Sequence, residues 1–144
     1  MQTDATLNAT PAVRWSDIAD VAGRVALAAM FLMAGVDKLF AHTGQTVQMM
    51  EAYHIPFAGL AIYPAGIVEL VGGIALIVGY QTRLAALVLA AFTAFVTPIF
   101  HSFWAVPADQ QLVQMLFFTK NLAVFGGLLH VVALGTGRFA LQRN

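Results

Sequence analysis

Ionisable side chains interrupt the long apolar stretches of this sequence. The clearest case is QMLFFTKNLAVFGGLLH, which begins at Gln114 and carries Lys120 and Asn121 near its middle. The other ionisable residues of these stretches include Arg24, Asp37, Lys38, Glu69, His101 and His130. A charged group at membrane depth costs about 2.5–3.5 kcal/mol on insertion scales, so such groups normally face the interior of a helix bundle and mark function. Together, a carboxylate, two ammonium groups and an imidazole can bind a polar ligand or exchange protons.

The composition indicates that a membrane surrounds most of the chain. Of its 144 residues, 60% are hydrophobic and 10% are charged, and the mean hydropathy is +0.79. Soluble domains carry about 25% charged residues, so we predict an integral membrane protein with one compact domain. Zero net charge and the lack of a basic patch argue against nucleic-acid binding. The absence of cysteine excludes disulfides and cysteine-ligated iron–sulfur clusters, and the sequence has no haem-ligand, flavin or nucleotide motif.

Four apolar segments are each close to the ~20 residues that a transmembrane helix needs. They span residues 17–40, 58–80, 83–104 and 112–135. Helices satisfy their own backbone groups in lipid, so the predicted fold is all-α, a four-helix transmembrane bundle. A short interfacial helix is expected over residues 46–53, with Met49, Met50 and Tyr53 at the membrane surface. The predicted limits are a mobile cytoplasmic tail over 1–14, the membrane domain over 15–138 and a C-terminal tail over 139–144.

The arginines outside the segments predict the orientation. Arg14, Arg83, Arg138 and Arg143 all fall on one side of the predicted bundle, and the two opposite loops carry no lysine or arginine. Because positive loops stay in the cytoplasm, both termini are expected to be cytoplasmic.

Helical spacing places several polar residues in the outer half of the bundle. Lys38, Glu69, His101, Lys120 and Asn121 lie within plausible reach of each other, and Trp104 shares a helix face with His101. Glu69 and Lys120 lie at matching depth, so Lys120 is expected to pair with Glu69. That pair can line a ligand site or simply lock two helices in register, while Lys38, His101 and Trp104 can also be ordinary interfacial residues. No tight ligand spacing favours a metal site among His42, Glu51, His54 and His101.

Four short motifs in order resemble the DoxX family of small four-helix bacterial inner-membrane proteins. They are GRVALAAMFLMAGVDKL, GIVELVGGIALIVGYQTRLAALVLA, FHSFW and QMLFFTKNLAVFGGLL, which together cover residues 23–129. By position, the resemblance assigns the family's polar residues to Lys38, Glu69, His101, Lys120 and Asn121. It also implies association with quinone-linked redox systems, since the family takes its name from a subunit associated with a terminal quinol oxidase.

The sequence is compatible with two functions. The first is an accessory subunit of a respiratory, quinone-linked system, not an enzyme by itself, which binds a quinone or another small ligand through the six residues above. The alternative is a non-enzymatic assembly protein, whose polar residues only lock helices and whose glycine faces in GIVELVGG and VFGGLL bind partner subunits. Membrane lipid and either partner subunits or a second copy are the expected partners. A transporter fits less well, because the sequence shows no inverted repeat.

Overall fold

The structure is a computed structural model that describes residues 12–142, so most of the predicted mobile tail lies outside the described residues. Within that range the chain is all-helical and contains no strand. The α-helices are α1 (Trp15–Val36), α2 (Thr43–Ala52), α3 (Ala58–Val78), α4 (Thr82–Phe100) and α5 (Ala108–Leu134). A π-helical turn, Asp37–Ala41, extends α1, and a 3₁₀ turn, Phe103–Ala105, follows α4.

Four helical stretches within residues 12–142 are long and apolar enough to cross a membrane. They are Trp15–Ala41, Ala58–Val78, Thr82–Ala105 and Ala108–Leu134. The predicted all-α bundle with four membrane-spanning helices is therefore confirmed, and so is the short helix between the first two spans. Which side of the membrane holds the termini is not fixed by the fold and stays a prediction.

Glycines allow α1 and α3 to pack closely. A methyl group at Gly35 would lie 2.7 Å from Leu70 Cγ and 2.9 Å from the Gly66 carbonyl oxygen, and one at Gly66 would lie 2.6 Å from Leu39 Cγ. Small residues at such a contact let two backbones approach, which drives helix association in lipid. Gly73 packs against Leu32 in the same way. The glycines of GIVELVGG on this face therefore make contacts within the chain.

A buried arginine organises the end of the bundle that carries the termini. Arg24 is only 1% exposed and donates to the carbonyl oxygens of Leu76 (2.9 Å) and Phe139 (2.7 Å) and to the carboxylate of Asp20 (3.1 Å). The C-terminal segment continues over the end of α3, where the Leu141 amide donates to the Val78 carbonyl oxygen at 3.0 Å. Arg24 thus compensates its charge through fixed acceptors and ties α1, α3 and the C-terminal segment together.

Helix α2 covers the opposite end of the bundle. Met50 is buried with Ala58 and Ile62, and the Tyr53 hydroxyl donates to the Phe100 carbonyl oxygen at 3.2 Å. The expectation that Met50 faces the membrane surface is therefore wrong, because its side chain is buried against α3. Tyr53 is half-buried, with its hydroxyl held by α4.

Candidate functional site

A cavity of about 360 Å³ opens inside the bundle near α2. Every α-helix and the π-helical turn contribute to its wall. Its polar lining consists of Lys38, Tyr53, Glu69, Thr93, His101, Gln114, Lys120 and Asn121, and its apolar lining includes Met30, Phe31, Met49, Phe92, Val96, Phe100 and Phe117. Five of the six predicted site residues therefore line one cavity, which we call the polar cavity.

Lys38 is the ion-pair partner of Glu69. Lys38 Nζ lies 2.9 Å from both Glu69 Oε1 and Glu69 Oε2. The predicted pairing of Glu69 with Lys120 is therefore wrong. Matching depth alone suggested that pairing, but α3 packs closely against α1 and makes no close contact with α5. Lys38, in the π-helical turn that extends α1, is therefore the lysine that contacts the Glu69 carboxylate.

The π-helical turn determines where Lys38 points. In this turn the His42 amide donates to the Asp37 carbonyl oxygen, five residues earlier, at 2.8 Å, and the side chains of the same two residues also contact each other. A π-helical turn inserts one residue into the helical repeat and is frequent at functional sites. Sequence spacing placed Lys38 on the inward side of the bundle, but because it assumes 3.6 residues per turn it gave no signal for the π-helical turn itself.

Glu69 retains hydrogen-bonding capacity that the protein does not use. The residue is 5% exposed, and Lys38 donates its hydrogen bond to Oε1. Oε2 lies in charge contact with the same ammonium but accepts no hydrogen bond from residues 12–142. A buried carboxylate oxygen without a hydrogen bond is costly, and this one belongs to a residue that lines the polar cavity. It is available to a ligand that carries a hydroxyl or amide donor.

Lys120 brings a charge into the polar cavity that no carboxylate neutralises. It forms no ion pair with any residue of the described part of the chain. Its ammonium lies 5.3 Å from the centroid of the Phe117 ring, a contact worth about 0.5–1 kcal/mol. Lys120 is an exposed residue of the described bundle, so in a membrane this contact alone is too weak to compensate its charge.

His101 and Asn121 are held by neighbouring side chains. His101 Nδ1 lies 2.9 Å from Gln114 Oε1, and the imidazole packs on the Phe117 ring with centroids 5.3 Å apart. Asn121 donates to Thr97 Oγ1 at 3.1 Å, in the buried contact between α4 and α5. These hydrogen bonds fix both side chains in place, so this part of the wall of the polar cavity is preorganised.

Trp104 is separated from the other predicted site residues. It lines a second cavity of about 270 Å³ on the other side of α4, together with Pro98, Phe118 and Phe125. Its ring packs edge-on against Phe103 and Phe118, with centroids 5.0 and 5.7 Å away. Asn121 lines both cavities, so it is the one predicted residue that connects Trp104 to the rest.

Three polar side chains of the polar cavity, Tyr53, Thr93 and Gln114, were not among the predicted site residues. Gln114 shares a helix face with Phe117 and Asn121, and that spacing was a signal that could have added it to the site. Met49 and Tyr53 come from α2 and had no such signal, because the docking of α2 is a tertiary contact. No cluster of three potential metal ligands exists among residues 12–142.

Comparisons with known proteins agree with this architecture. The DoxX family model matches residues 19–102. The Escherichia coli inner membrane protein YqjF is 33% identical over 127 residues, which cover 88% of this chain and 92% of that protein. The E. coli inner membrane protein YphA is 29% identical over 84% of this chain and 86% of its own length.

A more distant match joins these two relatives. The Drosophila melanogaster Surfeit locus protein 4 homolog is 31% identical over 81 residues, which cover 53% of this chain and 30% of that protein. No solved structure matches the chain. The four candidate spans and the E. coli relatives support a multi-pass bacterial inner membrane protein. The match of the family model over more than half of its length shows that the chain belongs to the DoxX family.

Proposed function

We propose that this protein is an accessory subunit of a quinone-linked redox system in the bacterial inner membrane and that it binds a quinone ring in the polar cavity. One observation carries the proposal. An uncompensated ammonium, Lys120, and a buried carboxylate oxygen, Glu69 Oε2, face the same cavity. A ligand with both an acceptor and a donor would satisfy both groups at once.

The chemistry of a quinone and its quinol fits these two groups. A quinone carbonyl oxygen accepts a hydrogen bond, which Lys120 can donate, and a quinol hydroxyl can donate to Glu69 Oε2. A volume of about 360 Å³ lies within the range of roughly 300–1,000 Å³ typical of ligand sites. The rings of Phe117 and Phe92 in the same wall can pack on a planar ring. Cysteine and haem-ligand patterns are absent from the sequence, so we assign electron transfer to a partner.

Quinone content of the purified protein tests the proposal. We expect wild-type protein, extracted in native lipid, to retain quinone that is detectable by mass spectrometry. Lys120→Met should reduce binding by about tenfold or more, because a hydrogen bond to a charged group contributes about 1.5–3 kcal/mol. Arg83→Gln is the control, since it removes a cation remote from the polar cavity and should leave binding unchanged. Absence of quinone from the wild type, before and after addition of excess quinone, would refute the proposal.

An assembly role is the second candidate, and a single glycine favours it. A methyl group added at Gly126, in VFGGLL, would have no neighbouring atom within 4 Å, so this glycine offers a close approach to another helix. Gly66 and Gly73 do not support this role, because α1 occupies their faces. A stoichiometric partner that co-purifies with the wild type and is lost in Gly126→Leu would establish it. A pure monodisperse homo-oligomer would argue against a separate partner subunit.

We also propose that both termini are cytoplasmic. Arg14, Arg24, Arg83 and Arg138 all belong to the end of the bundle that carries the termini, whereas the loop at the α2 end has no arginine or lysine between Ala41 and Phe57. The positive-inside rule therefore favours this orientation. A reporter enzyme that is active only in the periplasm should be inactive when it is fused to the C-terminus. Activity of that fusion would reverse the proposed orientation.

A further inference from the structure

An apolar groove of about 350 Å³ adjoins the polar cavity between α2, α3 and α4. Its wall includes Ala61, Ala65 and Val68 of α3 and Phe95, Val96 and Ile99 of α4. The charged side chains in its wall are Lys38 and Glu69, the ion pair already described. The groove thus has the character of a hydrocarbon site with one charged end.

The groove and the polar cavity meet at that ion pair. Both are lined by Lys38, Met49, Glu69, Phe92, Val96 and Phe100. At its other side the groove reaches the lipid-facing surface, since Phe95 in its wall is 70% exposed. The groove therefore extends from the exposed surface of the bundle to the ion pair that it shares with the polar cavity.

We infer that the groove holds the hydrocarbon chain of a ligand whose polar ring lies in the polar cavity, and that the ligand enters sideways from the lipid. This inference rests on the proposed function and adds the class of ligand: an amphipathic molecule with an alkyl or isoprenoid chain. Lipid tails are as apolar as the groove, so burial of the chain gains little free energy. The groove acts by shape, because a ring can reach Glu69 only if its chain has somewhere to lie.

Filling the groove tests this inference. Ala65 lies one helical turn before Glu69 and lines the groove but not the polar cavity. In Ala65→Phe we expect binding of a benzoquinone with a decyl chain to weaken by about tenfold, the size of a typical overpacking penalty. Binding of the same ring with a methyl group in place of the chain should change less than about twofold. Ala91→Phe is the matched control, because Ala91 is an exposed residue of α4 outside the groove.

The outcomes separate this inference from the proposed function. If neither probe binds the wild type, the proposed function fails. If both bind and Ala65→Phe weakens them equally, or weakens neither, the groove does not hold the chain. A photoreactive group at the end of the decyl chain provides a second measurement on the wild type, which does not depend on the folding of a variant. Adducts at the groove residues of α3 and α4 support the inference, and adducts confined to other helices overturn it.

Discussion

The ion pair between Lys38 and Glu69 makes a quantitative prediction about stability. Its charged atoms are 2.9 Å apart, which at an effective dielectric constant of about 20 corresponds to an attraction of about 6 kcal/mol. Desolvation costs several kcal/mol for each ion, so the pair as a whole contributes little to the free energy of unfolding. Removal of one partner leaves the other buried and unpaired. The expected cost is about 3 kcal/mol, the lower end of the usual range, because the Lys38 side chain is 22% exposed.

A double-mutant cycle in detergent micelles measures this coupling. Lys38→Met and Glu69→Leu should each lower the free energy of unfolding by about 3 kcal/mol. The double variant should lie within about 1 kcal/mol of the wild type, since the two apolar side chains together leave no buried charge.

Lys120→Met is the control that tests which lysine is the ion-pair partner of Glu69. Because the contact of Lys120 within residues 12–142 is a weak cation–π contact, its replacement should lower the free energy of unfolding by no more than about 1 kcal/mol. If Lys120→Met costs as much as Lys38→Met and couples to Glu69→Leu, then Lys120 is the true partner and our account of the site is refuted. Additive losses in the Lys38 and Glu69 variants would equally contradict it.

Two further variants test the end of the bundle that carries the termini. Arg24→Lys should lower the free energy of unfolding by about 2–3 kcal/mol, because one ammonium cannot reproduce the planar set of donors that reaches α3 and the C-terminal segment together. Accelerated proteolysis of the C-terminal segment is the second measurement. An Arg24→Lys variant as stable as the wild type would contradict this role of Arg24. Gly79→Ala should cost about 1–2 kcal/mol, since Gly79 has φ +70° and a methyl group there would lie 2.6 Å from Ala140 Cβ. Its control, Gly126→Ala, has open space and should be neutral or slightly stabilising; equal losses in both would exclude the steric explanation.

Sequence patterns predicted the helices well because lipid imposes strong local rules. Backbone groups in a membrane must be satisfied within each helix, so length and hydropathy were enough to find the four spans. The buried face of α1 also followed from spacing alone, since Arg24, Phe31 and Gly35 recur at helical intervals and are all buried. The same helical spacing leads on α3 from the buried Leu76 to Tyr80, yet Tyr80 is 50% exposed, because α3 ends two residues earlier at Val78.

The candidate site was predictable only in part. Residue type and depth selected Lys38, Glu69, His101, Lys120 and Asn121, and these do line one cavity. Trp104 was included because it shares a helix face with His101, but a 3₁₀ turn follows Phe100 and carries it to the other side of α4. Helical periodicity gives no information once the helix has ended.

The sequence by itself determined that this protein lies in a membrane, where its helices are and which side chains must avoid lipid. Each of these depends on local composition and on the cost of placing polar groups in hydrocarbon. Only the tertiary structure decided which of those side chains satisfy one another. The close contact of α1 with α3 and the π-helical turn at Asp37–Ala41 bring Lys38 to Glu69 and leave Lys120 without a carboxylate among the described residues. Such choices depend on distances between helices and on small changes of helical phase, which no single segment of sequence encodes.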